Sequence, residues 1–254
     1  MKFDWSYLRW LNIIAFIITL IINGLSNTTL IGGKTTAEVS NSYPTLITPA
    51  GYVFAIWGII YALLGIFLIY QAFPSQKDKN FQKQINGFFI LTSTLNAVWL
   101  FFWQNELLPI SIAIILGLLA SLIAIYLRLK IGKSTVSLKE KLCVHVPFSV
   151  YLGWITIATF ANIAVTLVSI GWDGFGLSPE TWAILILTIA LILDLLVTAT
   201  RKDIAYSAVF LWALAGIAVN QTANPLIALT AEVAIAIIAV AIIVTTALAW
   251  HRRI

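Results

Sequence analysis

Residues Ile110 to Leu127 read ISIAIILGLLASLIAIYL, eighteen positions without a charge. At 1.5 Å per residue such a run covers about 27 Å as a helix, close to the roughly 30 Å of hydrocarbon in a bilayer. A second stretch, Thr181 to Val197, reads TWAILILTIALILDLLV and is broken only by Asp194. Of the 254 residues, 61% are hydrophobic and 10% charged, against roughly 45–50% and about 25% in soluble domains. No water-soluble core absorbs that excess, so the expected fold is all-α, a polytopic helical membrane bundle.

Hydropathy and turn residues together place eight spans near 9–25, 49–72, 86–104, 108–129, 142–170, 180–199, 204–222 and 225–250. The basic residues give an independent count. Alternating sides puts Lys2, Arg9, Lys77, Lys79, Lys83, Arg128, Lys130, Lys133, Lys139, Lys141, Arg201, Lys202, Arg252 and Arg253 on one side and Lys34 alone on the other. Short loops rich in Lys and Arg stay cytoplasmic, so both termini are expected there. The net charge of +5 is spent in these loops and forms no groove for nucleic acid. One cysteine, Cys143, allows no internal disulfide, and two histidines do not make a protein-only metal site. The first span lacks a small-x-small cleavage site, and Asn23-Gly24-Leu25-Ser26-Asn27 reads as its exit rather than the end of a leader. Residues 26–48 then form the longest outer loop, either a polar linker or a functional one.

Lipid supplies no hydrogen bonds, so polar and indole-bearing residues inside spans are expected to face other helices, a cavity or the interface. Three spans carry them at helical spacing. Phe54, Trp57, Tyr61 and Gly65 fall at i, i+3, i+7 and i+11 of span 2, and Asn96, Trp99 and Trp103 form a stripe on span 3. Tyr151, Trp154, Ala158 and Asn162 do the same on span 5. These stripes suit a pocket for a flat, largely apolar ligand, walled by aromatics and oriented by Asn96 and Asn162. They equally suit plain bundle packing, with Trp103 in an interfacial belt.

The same residues carry a family pattern. Thr48-Pro49-Ala50-Gly51-Tyr52-Val53-Phe54-Ala55-Ile56-Trp57-Gly58-Ile59-Ile60-Tyr61 resembles the second-helix signature of the tryptophan-rich sensory protein/translocator protein family (TspO/MBR). Leu95-Asn96-Ala97-Val98-Trp99-Leu100-Phe101-Phe102 resembles its third-helix signature, and Tyr151-Leu152-Gly153-Trp154 through Phe160-Ala161-Asn162 its fifth. The resemblance covers residues 9–170 and implies a five-helix core, 1–170, followed by a three-helix extension, 171–254, without counterpart in five-helix members. It further implies that Trp57, Tyr61, Asn96, Trp99, Trp154 and Asn162 line a cavity for a tetrapyrrole, another lipophilic pigment or a sterol-like molecule, held by a receptor or carrier. Two features depart from the family: Pro49-Ala50 replaces paired prolines, and the first outer loop lacks the family's Trp-rich character, having Tyr43-Pro44 instead.

Asp194 and Glu232 lie inside spans 6 and 8, where a carboxylate costs about 2.5–3.5 kcal/mol on insertion scales. They are candidates for a proton or ion relay in a secondary transporter, although no internal repeat or broken pair of spans accompanies them. The alternative has both reaching interfacial water, Asp194 on the face of Arg201. Asn220, Gln221 and Asn224 read as solvated loop amides, and His145 as an interfacial residue beside a kink at Pro147. Gly171 to Gly176 reads as a tight turn before a helix start at Ser178-Pro179-Glu180. No nucleophile, base and orienter set is visible, so the expectation leans away from an enzyme. Membrane lipid and a small planar ligand are the expected partners, with a homodimer or a larger membrane complex left open.

Overall fold

The computed structural model describes residues 7–85 and 87–251. Lys2, Arg252 and Arg253, three of the residues behind the topology argument, lie outside them, as does Asn86 at the start of the expected third span. Every regular element among the described residues is helical. In order they are α1 (Leu8–Asn27), α2 (Thr36–Ser42), α3 (Ile56–Ala72), α4 (Asn80–Ile85), α5 (Phe88–Gln104), α6 (Leu108–Arg128), α7 (Leu138–Glu140), α8 (Val146–Ser169), α9 (Pro179–Arg201), α10 (Ile204–Asn220) and α11 (Pro225–His251). A 3₁₀ turn, Gly51–Ala55, leads into α3, and a π turn, Lys141–His145, joins α7 to α8 in one 32-residue stretch.

Six helices are long and apolar enough to cross a membrane, and α5 and α10 are shorter apolar helices of 17 residues. All eight coincide with expected spans, and the protein is an integral membrane protein with a polytopic helical bundle. The largest boundary difference is at span 5, where α7 and the π turn carry the helix back to Leu138.

Helix α8 is the centre of the bundle, packed against α6, α3 and α10. Its burial runs around the whole cylinder, from Pro147 to Thr166, as expected of a helix with no lipid-facing side. The outer helices instead expose one apolar row each: Ile14, Ile17 and Ile21 on α1, Leu185, Ile189 and Ile192 on α9, and Val233, Ile237 and Val240 on α11. Helix α1 rests on α5 and α3, while α11 rests on α9 and α10.

The last three helices are interlocked with the first five. The Ala50 N–H donates to the Gly216 carbonyl at 3.0 Å, and the Trp212 indole to the Val53 carbonyl at 3.1 Å. A side chain at Gly216 would run into Val53. At the end of the bundle rich in Lys and Arg, Gly132 has φ +77°, and a Cβ there would overlap the Arg201 carbonyl oxygen. Gly132→Ala therefore combines a left-handed backbone cost of about 1–3 kcal/mol with a backbone collision. Gly24→Ala on α1, where a Cβ meets nothing within 4 Å, is neutral or stabilising. Thermal unfolding in one detergent checks the pair: the first variant melts well below wild type and the second does not.

Candidate functional site

The aromatic stripes of α3, α5 and α8 meet. Trp57 is the hub, with ring centroids 5.6 Å from Tyr61, 6.2 Å from Trp99, 6.1 Å from Tyr151 and 6.2 Å from Trp154. Phe54 packs edge-on to Trp154 at 6.0 Å, and Trp99 stacks on Trp103 at 5.6 Å. Contacts of this kind are worth about 0.5–1.5 kcal/mol each beyond area burial, so the wall holds its own shape.

Phe54, Trp57, Trp99, Trp103, Trp154 and Ala158 line one cavity of about 50 Å³. That volume holds a few water molecules, whereas drug-sized pockets run to about 300–1,000 Å³. Tyr61, Asn96, Tyr151 and Asn162 stand behind this wall. Asn162 accepts the Trp99 indole N–H at 2.8 Å and donates to the Ser111 hydroxyl at 2.9 Å, fixing the ring plane of Trp99. Asn96 accepts from Asn23 of α1 at 3.0 Å, beside Tyr61. Both amides thus hold helices and rings together. Trp103 lies inside the bundle rather than in an interfacial belt, 3% exposed, and its indole donates to the Thr36 carbonyl at 3.2 Å. Trp154 lines the cavity, and its indole N–H is buried and has no acceptor.

The cavity has walls that the stripes did not announce. Ile186, Leu187 and Ala190 of α9 and Phe210, Ala213 and Ile217 of α10 close it laterally. A signal for α9 was present in the sequence: Ala183, Leu187, Ala190, Asp194 and Thr198 form a buried stripe at spacings of three and four. Thr36, Ser40 and Ile47 close it from the outer loop.

That loop is no linker. Helix α2 carries a capping box between Thr35 and Glu38, and its segment is pinned from three sides. Gln104 donates to the Ser26 and Lys34 carbonyls at 3.0 and 2.9 Å. Glu106 pairs with Lys34 at 2.7 Å and accepts the Tyr43 hydroxyl. Asn220 donates to the Thr48 carbonyl and Gln221 to that of Thr45, at 3.0 and 3.4 Å. These two amides are therefore loop anchors, not merely solvated groups, because a folded loop offers them carbonyls. Between this loop, the end of α8 and the start of α9 lies a larger vestibule of about 560 Å³, bordered by Trp172, Trp182, Asn220 and Gln221. Ile47 and Ile186 belong to both hollows.

The carboxylates fall differently from expectation. Asp194 is 0% exposed and does not reach interfacial water, since its stripe faces α10 and α11 rather than the rim. Glu232 is exposed on α11 at the other end of the bundle. His145 is buried as well, closing the π turn rather than sitting at a surface kink. The turn at Gly171–Gly176 and the Ser178 cap, bonded to the Thr181 N–H at 3.2 Å, are as expected. Among the described residues no group of three His, Cys, Asp or Glu is arranged to hold a metal ion.

Two of these contacts yield predictions. Asn162→Ala strands the buried Trp99 indole and costs about 1–3 kcal/mol, while Asn27→Ala, which removes an exposed amide bonded to its own helix, stays within about 0.5 kcal/mol; chemical or thermal unfolding compares them. The hydrogen bond from Lys34, then that from Tyr43, holds the Glu106 carboxyl below the usual range. A depressed folded value means the stabilisation is complete above the ordinary Glu pKa of about 4.3 and is lost as pH falls through the folded value. Amide exchange of α2 is accordingly slower in wild type than in Glu106→Gln at pH 7, and the difference vanishes in acid.

A family model described as TSPO-like protein matches residues 9–244, a stretch that covers α9 and α10 and reaches into α11. No curated protein and no solved structure gives a significant match.

Proposed function

Because the chain belongs to the TSPO-like protein family, we propose that it is a membrane receptor or carrier for a planar, largely apolar molecule of porphyrin or sterol type. The family places it among membrane-embedded ligand-binding or transport-related proteins. The observation carrying the finer reading is the convergence of Phe54, Trp57, Trp99, Trp103 and Trp154 on one cavity, with the buried Trp154 N–H lacking an acceptor. Aromatic faces take a flat π-system without demanding a particular hydrogen-bond pattern, and the free indole selects a ligand with an acceptor oxygen or nitrogen on one edge.

A cavity of about 50 Å³ cannot seat such a ligand unaltered. Binding opens the wall, and the vestibule supplies the direction. The ligand rests between Trp172 and the outer loop, then displaces Ile47 and Ile186, the residues shared by the two hollows. In this reading the five-helix part, 1–170, contributes the aromatic surface and the extension, 171–254, the lateral wall and half of the mouth. Both termini then face the cytoplasm and the mouth opens outward. The mechanism is enclosure and release, with no covalent step.

Titration with protoporphyrin, followed by the ligand's own fluorescence anisotropy, tests the site. Joint replacement of Trp57, Trp99 and Trp154 by Leu abolishes saturable binding in folded protein. Trp154→Phe keeps the ring but loses one hydrogen bond of about 0.5–1.5 kcal/mol, which weakens affinity by about two- to twelvefold. Unchanged titrations in both variants would place the ligand elsewhere.

A further inference from the structure

Asp194 and Asp203 are nine residues apart, on α9 and at the cap of α10, and the fold brings them into one buried polar cluster. Their surroundings are opposite. Asp203 accepts three hydrogen bonds, from the Ser149 hydroxyl at 2.6 Å, the Tyr126 hydroxyl at 2.9 Å and the Tyr206 N–H at 3.3 Å. Asp194 has the hydroxyls of Ser207 and Thr198 beside it, the latter bonded at 3.4 Å, and its second oxygen is buried without any partner.

No cation neutralises either group by direct contact. The ion pair between Lys34 and Glu106 is the one salt bridge among the described residues. Arg201, at the end of α9, gives its guanidinium to the Ile131 carbonyl at 3.4 Å and to the face of Tyr126. From α10, the groups facing Asp194 are Ser207, the Tyr206 phenol and, beyond them, Asp203. On α11 the charged residue is Glu232, exposed near the opposite end, and His145 at the start of the α8 stretch neighbours Asp203 rather than Asp194. A carboxyl that is buried without a counter-ion and with one oxygen unpartnered is held more cheaply with a proton than as an anion.

We propose that Asp194 is a proton-binding site: a carboxylic acid held neutral between α9 and α10, whose proton exchanges with the Lys- and Arg-rich end of the bundle. The Thr198 and Ser207 hydroxyls, 2.7 Å apart, bridge from Asp194 towards the cap of α10. Ser207 in turn donates to the Asp203 backbone carbonyl at 3.4 Å, so the bridge ends on the backbone of that cap. Asp194 lies about two turns, roughly 10 Å, inside the end of α9. Proton release leaves a buried anion on the helix that supplies Ile186, Leu187 and Ala190 to the cavity wall, so the protonation state of Asp194 acts on the packing of α9 against α10. The site stands independently of any ligand in the aromatic cavity.

Infrared spectroscopy of the full chain in lipid nanodiscs, titrated from acid to alkaline pH, reads the proton directly. Wild type shows a carboxylic-acid carbonyl band at pH 7 that shifts in heavy water and is absent from Asp194→Asn. Asn is a neutral isostere of the acid, so that variant also melts at the wild-type temperature at pH 7 and resists the alkaline destabilisation seen in wild type. Asp203→Asn, which disturbs a carboxyl that accepts three hydrogen bonds, leaves the band in place and lowers the melting temperature. A wild-type spectrum at pH 7 lacking the band overturns the proposal. So does a melting temperature raised by sodium over potassium in wild type and not in Asp194→Asn, which would make the pocket a cation site.

Discussion

The hydrogen bond from the Trp99 indole to Asn162 ties the fold to its cavity. It crosses between α5 and α8 where lipid and water offer no substitute partner, and Ser111 extends it to α6. Three helices are thereby held in one register by a single amide. The aromatic wall follows: with the plane of Trp99 fixed, Trp57 and Trp103 have a surface to pack on. In a bilayer this matters more than apolar contact, since hydrocarbon is no worse a neighbour for Leu than another Leu is, and specificity falls to polar groups and shape.

The first outer loop, residues 26–48, and the α10–α11 turn show a second use of the same principle. Gln104, Asn220 and Gln221 satisfy carbonyls that a loop folded over a cavity cannot offer to water. The cover is consequently held by polar bonds as well as by the buried side chains of Val39 and Ile47.

The eight helices were legible because length, hydropathy and the distribution of Lys and Arg are each set by the bilayer. The stripes of Trp57, Trp99 and Trp154 were legible for the same reason, since one helix determines its own faces. Which faces meet was not. Asn96 and Asn162 read as ligand contacts because an amide in a span needs a partner, but the period of one helix does not say that the partner is Asn23 or Ser111. Asp194 read as interfacial from its distance to Arg201, although the stripe it shares with Leu187, Ala190 and Thr198 marked an inward face. Asp203, between spans 6 and 7, drew no reading at all; its three donors come from residues up to 77 positions away. Helix α2 was hidden by its seven-residue length and by the polarity that suits a cap.

Helix α11 has an apolar stretch of 24 residues, about 36 Å, while α5 has 17 residues, about 26 Å. A hydrocarbon layer of roughly 30 Å matches neither. The longer helix leans or stretches nearby lipid chains, and the shorter one draws the leaflets together, each at a fraction of a kcal/mol per Å of mismatch. The two lie on different partners, α11 on α9 and α10, α5 on α6 and α1. Membrane thickness is thus a mechanical input: a thicker bilayer straightens α11 and, through α9, bears on the lateral wall of the cavity.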